Sequence, residues 1–406
     1  GRCLIELVMK KDHDKMTMKD KRKYISKIAR RYHNSDKKKR GLILDELCET
    51  FELSRCYAIR VMNKGHKRAR KKPGRASRYQ SPEFIKGLKQ IWFCSDWACG
   101  KLLKSAIPLV LPHLEKRHQK GVSEEVKSLL LAISAASIDR VLAPYKAKYR
   151  RGRNLTKPGS LLRSQIPIST ETWNITIPGF VEADTVAHSG SSSKGPFVST
   201  LTITDIATQW TENRAVWTKV AANVVEAIRD IEAVLPFPIL GFDCDNGSEF
   251  LNDHLVRYFQ GKKIGLTRSR PYKKNDNAHV EQKNWTTARA LLGYVRLENP
   301  ELVPLINDIY ANEWSDWKNF FCPNMKLKEK IRVGSRIVRK YEKPKTPYQR
   351  VLESPEISEA VKEKLTIRYE SLDPFALRER IEQKLKRVKA LASTTFDDWL
   401  AAQESQ

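Results

Sequence analysis

The spacing of apolar residues divides the chain into a helical first part and a strand-rich middle. Over residues 40–62 and 81–150, apolar residues recur at helical spacing with polar residues between them. From residue 166 to about 300, short apolar runs of β character come first, and helices then alternate with strands. The predicted strands cover 178–185, 196–204, 210–218, 237–243 and 264–268, and the predicted helices cover 219–234 and 248–260. One more helix, which carries Glu281, closes this part.

A helix, a break and a second helix are predicted within residues 40–62. Leu44, Leu47 and Phe51 share one helical face, Ser54 can cap a second helix, and that helix begins at Arg55. Two short helices around a tight turn are typical of a helix-turn-helix, in which Arg55 and Arg60 would contact DNA. An ordinary helical hairpin is the alternative.

The next segment, 66–79, contains seven Lys or Arg residues among fourteen and no acidic residue. This composition predicts a basic arm that contacts DNA phosphates or a minor groove, and a solvated linker is the alternative. The predicted DNA contacts in the arm are Lys67, Arg68, Arg70, Lys71 and Lys72.

The stretch 81–150 predicts a second helical region. Ser123 can cap one helix and Ser137 the next, which would place Arg140 at the start of a second DNA-contacting helix. An ordinary helical pair is again the alternative. Pro108 and Pro112 are expected to interrupt the preceding stretch.

The same region contains a candidate zinc site. Cys94, Cys99, His113 and His118 have nearly the spacing of a zinc finger, but the residues between them are helical rather than hairpin-forming. Structural thiols are therefore preferred.

The charge of the chain indicates a polyanionic partner. The formal net charge is +28 over 406 residues, which is unusually large for an enzyme of small substrates. No apolar run is long enough for a membrane span, no secretion signal opens the chain, and the seven cysteines are scattered. We therefore expect a cytoplasmic protein that binds nucleic acid.

Three acidic residues stand out by their context. Asp184 lies in a predicted strand, Asp245 opens Asp-Asn-Gly directly after another strand, and Glu281 follows Asp245 after a gap of 35 residues at the start of a helix. Three converging carboxylates need a cation to stay ionised, and hard oxygen ligands suit Mg²⁺. A pair of such ions can serve phosphoryl chemistry.

This pattern resembles the D,D(35)E core of retroviral integrases and bacterial insertion-sequence transposases over about 150 residues. The resemblance implies a ribonuclease-H-like mixed-sheet catalytic domain after the helix-turn-helix modules, hence a multidomain protein with α and α+β parts. It also implies a polynucleotidyl transferase with two Mg²⁺ ions, Mn²⁺ being a possible substitute. Asp184 would bridge both ions, and Asp245 and Glu281 would each bind one.

The resemblance further implies partners and a location. A transposase of this kind would bind double-stranded DNA at its element's ends and in its target, act as a homo-oligomer, and be associated with a bacterial nucleoid. A DNA-binding regulator derived from the same fold is the alternative function, and a ribonuclease or resolvase is a lesser one.

Basic residues around Glu281 are candidates for holding the DNA backbone, with a solvated basic loop as the alternative. They are Arg268, Lys273, Lys274, Lys283 and Arg289. Other polar and aromatic residues nearby have structural interpretations. Trp285 is expected in the core, Glu182 and Asp243 are expected to be structural, and Asp205 is expected to form a turn.

The domain boundaries follow from these patterns. We expect a helix-turn-helix domain with its arm at 1–80, a second helical domain at 81–150, a linker at 151–166, the catalytic core at 167–320 and a tail at 321–406. Within the tail, alternation over 330–341 predicts a hairpin, and an apolar stripe predicts a final helix over 374–392.

Overall fold

A computed structural model shows the fold of the chain in two units. It describes residues 18–64, 78–117, 121–146, 175–192, 194–244, 250, 253–262, 264–268, 280, 283–334 and 336–393. The units are Gly1–Ser77 and Arg78–Gln406. The finer division of the second unit into separate domains stays a prediction.

The described residues of the first unit, 18–64, form three helices, α1 (Met18–His33), α2 (Lys37–Phe51) and α3 (Arg55–Lys64). They share a small core formed by Ile28, Tyr32, Ile43, Leu44, Leu47, Ala58 and Met62. The two helices predicted around the break at 52–54 are confirmed, whereas α1 was not predicted. A role as a DNA-binding helix-turn-helix stays a prediction.

The second unit begins with four helices, α4 (Pro82–Cys94), α5 (Gly100–Arg117), α6 (Glu124–Ala132) and α7 (Ala135–Lys146). The cap of α6 is confirmed, because Ser123 Oγ accepts the Val126 N–H at 3.5 Å. The predicted cap of α7 is wrong by one turn. Ser134 Oγ accepts the Ser137 N–H at 3.2 Å, so α7 starts earlier and Arg140 lies in its interior.

The expected interruption at the two prolines is also wrong, because α5 runs continuously through Pro108 and Pro112. An internal proline removes a backbone hydrogen bond and crowds the preceding turn. Here the helix lies in the middle of the helical region, with an apolar stripe buried against α4, α6 and α7. Burial of that stripe outweighs the two lost hydrogen bonds.

The centre of the second unit is a five-stranded mixed sheet of order β3-β2-β1-β4-β5. β1 pairs antiparallel with β2, and β2 with β3, whereas β4 runs parallel to β1 and β5 runs parallel to β4. The strands are β1 (Phe180–Ala187), β2 (Val198–Asp205), β3 (Thr211–Trp217), β4 (Gly241–Cys244) and β5 (Gly265–Arg268). The predicted order of elements is thereby confirmed.

Helices α8 (Ala221–Val234) and α9 (Asp253–Gly261) connect β3 to β4 and β4 to β5. The apolar side of α8 packs with β1 and β2 in one core cluster. At the β2–β3 turn, Asp205 accepts the N–H groups of Gly179 at 2.8 Å and Thr208 at 2.6 Å. The turn role expected of Asp205 is confirmed.

Helical segments that include π-helical turns follow the sheet. They are π1 (Asn284–Arg289), α10 (Ala290–Leu292), α11 (Leu302–Ile309), π2 (Tyr310–Trp314) and π3 (Trp317–Phe321). A second sheet and three helices complete the described residues. They are β6 (Leu327–Val333), β7 (Arg336–Tyr341), α12 (Pro347–Glu353), α13 (Glu359–Ser371) and α14 (Pro374–Leu391), which confirms the predicted hairpin and final helix.

The helical region of the second unit is fastened to these later elements. Trp317 Nε1 donates to the Cys94 carbonyl at 2.9 Å, and Lys318 forms an ion pair with Asp96 at 2.9 Å. Within the described ranges, no helix combines the length and the apolar character needed to cross a membrane.

Candidate functional site

The candidate site lies where β1 and β4 run side by side. The parallel register pairs Ala183 with Cys244, the last residue of β4. Asp184 is the next residue of β1, and Asp245 is the next residue of the sequence after Cys244. Asp245 and Glu281 themselves lie outside the described residues.

The carboxylate of Asp184 is half-buried and accepts two described hydrogen bonds. Asn284 Nδ2 donates to one carboxylate oxygen at 2.6 Å, and the Thr185 N–H donates to the other at 2.7 Å. Asn284 is itself buried, and its carbonyl oxygen has no hydrogen-bond partner within the described part of the chain. One polar carbonyl therefore lies beside the Asp184 carboxylate without a donor, at a site where a cation or its water could be bound.

Glu182 has the structural role that was expected of it. Its side chain is buried, and one carboxylate oxygen accepts the Val280 N–H at 3.0 Å. Val280 immediately precedes Glu281, and Asn284 follows Glu281 by three positions. Glu182 and Asp184 of β1 thus accept hydrogen bonds from residues on both sides of Glu281 in the sequence. Asp243, expected to be structural, accepts a hydrogen bond from Thr267 Oγ1 of β5 at 2.7 Å.

Lys283 corrects the predicted set of DNA contacts. Its side chain is buried, and its Nζ donates to the Gln209 carbonyl in the β2–β3 turn at 3.1 Å. Desolvation lowers the pKa of Lys283 to about 7, assisted by the nearby charges of Arg350 and Lys318. A side chain held in this position connects the helix to the turn and does not reach a DNA phosphate.

Arg289 is half-buried at the other end of π1. It donates to the Ala187 carbonyl of β1 at 2.8 Å, and its guanidinium lies over the Tyr294 ring at 4.6 Å. Burial lowers the pKa of Arg289 from its usual value. A contact between Arg289 and the DNA backbone stays a prediction.

The expectation that Trp285 belongs to the core is wrong, because 63% of this residue is exposed. Its neighbours Asn284 and Thr287 face the sheet, since Asn284 contacts Asp184 and Thr287 Oγ1 accepts from Asn213 Nδ2 at 3.2 Å. The π-helical winding of this segment turns the indole away from them.

A buried polar network on β2, which sequence reasoning missed, supports the helix behind the site. Thr200 Oγ1 is hydrogen-bonded to His188 Nε2 at 2.8 Å and to the Tyr310 hydroxyl at 3.1 Å. Desolvation lowers the pKa of His188 to about 3, with a further effect from Arg289, so the imidazole is neutral. The available signal was the run of threonines at alternate positions of β2, Thr200, Thr202 and Thr204.

The remaining predicted DNA contacts are only partly described. Arg55, Arg60 and Arg140 are exposed, and Arg55 forms an ion pair with Asp45. The side chains outside the description are Lys67, Arg68, Arg70, Lys71, Lys72, Arg268, Lys273 and Lys274. Their contacts with DNA stay predictions.

Among the residues that the structure describes, no group of three His, Cys, Asp or Glu side chains could hold a metal ion. Cys94 is buried in α4, where desolvation raises its pKa well above the usual value, and His113 packs edge-on against the Phe321 ring at 5.6 Å. These contacts agree with the structural interpretation of Cys94 and His113.

The fold and the site together define a mixed helix-and-sheet protein with a partly accessible carboxylate at the junction of two parallel strands. The chain belongs to the family of the uncharacterized protein y4rM of Sinorhizobium fredii (strain NBRC 101917 / NGR234). The two are 38% identical over 338 residues, which cover 83% of this chain and 96% of that protein. No protein-family model matches the chain.

Among solved structures, similarity was found to the HTLV-2 integrase catalytic core domain in complex with magnesium, at 16% identity and a TM-score of 0.27, over 36% of this chain and 91% of that one. A simian T-cell lymphotropic virus intasome in complex with the PP2A regulatory subunit B56 gamma has 14% identity and a TM-score of 0.26, over 40% of this chain and 54% of that one. Both TM-scores are low, so neither similarity bears on what this chain does.

Proposed function

We propose that the chain is a DDE-type transposase, which binds the DNA ends of its element and catalyses metal-dependent strand cleavage and strand transfer. The position of Asp184 carries this proposal. β1 and β4 are paired at the residues that immediately precede Asp184 and Asp245, and Asn284 holds the Asp184 carboxylate only three positions after Glu281. The sequence pattern and the strand register therefore favour one common site for the three acids.

The order of the sheet supports the same proposal. Three antiparallel strands, followed by two strands parallel to the first, resemble the ribonuclease-H-like arrangement that the sequence pattern implied. In open sheets, ligands bind beyond the carboxyl ends of the parallel strands, at the point where the direction of connection changes. Here that point is the β1–β4 junction.

The chemistry of the donors fits a hard divalent cation. Carboxylate and amide oxygens are the ligands that Mg²⁺ accepts, and Asn284 presents a buried carbonyl oxygen without a described partner beside Asp184. Asp184, Asp245 and Glu281 would hold two Mg²⁺ ions, for which Mn²⁺ could substitute. When bound, such ions supply activation of a hydroxyl nucleophile and stabilisation of the leaving oxygen.

The residues of the chain itself pre-organise this site. Asn284 orients the Asp184 carboxylate, Glu182 fixes the backbone at Val280, and Lys283 fastens the helix to the β2–β3 turn. Ligands held in this way need little rearrangement to bind an ion, which is the general role of groups that support a metal site.

DNA would be bound by the exposed basic residues of the helical regions and the arm. Among the described residues, these proposed DNA contacts are Arg55, Arg60 and Arg140. Joining two ends of one element requires two copies of the site, so we also propose a homo-oligomer on double-stranded DNA. A DNA-binding regulator without strand transfer is the alternative, and the presence of all three acids favours the enzyme.

The proposal is tested with Asp184→Asn, Asp245→Asn and Glu281→Gln, each assayed on a duplex that carries the DNA flanking the chain's own gene. We expect each variant to lose at least about 100-fold in Mg²⁺-dependent cleavage and joining, because each loses one ligand charge. DNA binding should stay within a few fold of that of the parent protein.

The matched control is Asp243→Asn, which changes an acid of the neighbouring strand that binds Thr267. It should keep activity within a few fold. Residual activity within about tenfold of the parent in any of the three variants, or activity in excess chelator, would rule out a three-carboxylate metal site.

A further inference from the structure

In the second sheet of the protein, the two-stranded ribbon formed by β6 and β7, none of the described side chains is buried. Exposed side chains occur along it at Lys328, Glu329, Val338, Arg339 and Lys340. No third strand pairs with it among the described residues. A two-stranded hairpin without a packed face is only marginally stable in water. The ribbon is therefore expected to be stabilised at its root, by a partner, or by both.

The root of the ribbon is firmly attached to the second unit. Asn324 and Lys345 exchange backbone hydrogen bonds at 2.9 and 3.2 Å, and the Glu342 N–H donates to the Lys326 carbonyl at 2.9 Å. Lys326 Nζ in turn donates to the Ala207 carbonyl in the β2–β3 turn at 3.0 Å. The base of the ribbon is thus fixed on the turn that also accepts a hydrogen bond from Lys283, while none of the ribbon's described side chains is buried.

The ribbon carries a large excess of positive charge. Between residues 327 and 341 there are six Lys or Arg residues and one acid, Glu329, which forms an ion pair with Lys340 at 2.9 Å. The strand register places Lys330 directly opposite Arg339. Like charges at opposed positions destabilise an antiparallel pair. A bound polyanion would remove this repulsion.

We propose that the β6–β7 ribbon binds DNA by contacting the phosphates of a duplex. A two-stranded ribbon fits the major groove, which is about 12 Å wide, and its basic side chains would lie near both phosphate rows. A second copy of this chain is a poorer partner, because each copy carries the same charge of +28. The inference rests on the proposed function in one respect, namely that the protein acts on DNA.

The test is the double variant Arg336→Glu/Arg339→Glu, measured for equilibrium binding to a 30-base-pair duplex of arbitrary sequence in chelator over a series of salt concentrations. Arg336 is opposite Val333 and Arg339 is opposite Lys330, so neither change places two acids together. The ribbon should therefore fold at least as well as before, which circular dichroism and thermal unfolding would verify.

The matched control is Lys386→Glu/Arg387→Glu, which makes the same total change of charge at two exposed positions of α14. Two lost phosphate contacts make the slope of log affinity against log salt less steep by about 2, so we expect at least a tenfold loss of affinity at about 0.1 M salt for the ribbon variant. The control should change affinity by less than threefold.

Equal losses in the two variants would show a general effect of charge and overturn the inference. Unchanged DNA binding by the ribbon variant would also overturn it, and a simultaneous loss of the oligomer in sedimentation would identify a contact between copies instead. Because binding is measured without metal, the result is independent of the acids. If the Asp184→Asn protein kept its strand-transfer activity, the proposed function would be rejected, whereas the proposed contact between the ribbon and DNA would not be affected.

Discussion

The two sheets of this protein place their charged residues in opposite environments. In the five-stranded sheet, Arg214 of β3 is buried between Glu212 and Asp230, and each of the three has a partner. In the ribbon, Lys340 and Glu329 pair in solvent, and other cations have no acid opposite them in the strand register. Burial makes polar groups of the first sheet specify one arrangement, whereas exposure leaves the charges of the second available to a partner.

The largest effect should come from the buried ion pair. Arg214→Ala leaves Glu212, whose pKa burial already raises, without its cation in the interior. Removal of one partner of a buried pair costs about 3–5 kcal/mol. Urea unfolding should show a loss of this size in the free energy of unfolding. Asp230→Ala, at the exposed end of the same group, should cost much less. Equal losses of unfolding free energy in Arg214→Ala and Asp230→Ala would mean that burial of the ion pair does not determine its contribution to stability.

The next effect should come from Asn284→Ala, which removes the hydrogen bond to the Asp184 carboxylate. Loss of a hydrogen bond to a charged group costs about 1.5–3 kcal/mol. Loss of a group that orients a metal ligand lowers affinity or activity by about 10–100-fold. We expect a higher Mg²⁺ requirement for strand cleavage as well as lower stability.

Thr286→Ala is the control for Asn284, because Thr286 donates within its own helix to the Lys283 carbonyl. It should leave the Mg²⁺ requirement within about twofold. If Asn284→Ala lowers stability but leaves the Mg²⁺ requirement unchanged, then Asn284 has a structural role only.

A smaller effect should depend on pH. The pKa of His188 is about 3 in the folded protein and 6.5 when unperturbed, so the unfolded chain takes up a proton first as pH falls. Stability from this group is therefore complete above about pH 6.5 and is lost progressively towards pH 3. Unfolding of the parent and of His188→Asn at pH 7, 5.5 and 4.5 should show a steeper loss for the parent. Parallel curves would contradict a neutral buried imidazole.

The smallest effect is expected in the ribbon. Lys340→Ala breaks an ion pair between two exposed side chains, so the free energy of unfolding should change by less than about 0.5 kcal/mol. Urea unfolding of Lys340→Ala, under the conditions used for Arg214→Ala, is a sufficient measurement. A loss comparable to that of Arg214→Ala would mean that the ribbon is packed against something in the free protein.

The sequence predicted the strands and their order because alternation and turn residues are local signals. The position of Asp184 in β1 follows from the strand pattern, whereas Glu182 was interpreted as structural because it lies outside the D,D(35)E pattern. The shared site of Asp184, Asp245 and Glu281 stays a prediction, since two of the three lie outside the described residues. Helix α1 was missed because its many basic residues obscure the few apolar ones, Ile28 among them.

Two assignments around Glu281 were wrong. Lys283 was chosen as a DNA contact from its charge and its place beside Glu281, and Trp285 was placed in the core four positions after Glu281, whereas the segment from Asn284 to Arg289 is π-helical. A π turn rotates less per residue, so inward and outward positions shift along the helix. Burial of Lys283 also depends on the distant Gln209 carbonyl, which no local pattern could have indicated.

The π-helical segment has a consequence for how this family can diverge. In an α-helix, residues five positions apart lie about 140° apart around the axis, whereas the wider π turn brings Asn284 and Arg289 towards the same side. Both can therefore reach β1, at Asp184 and Ala187. Deleting one residue between them would leave an ordinary α turn with the same two contacts, so a related chain that is one residue shorter is expected to have lost that residue here rather than elsewhere in the helix.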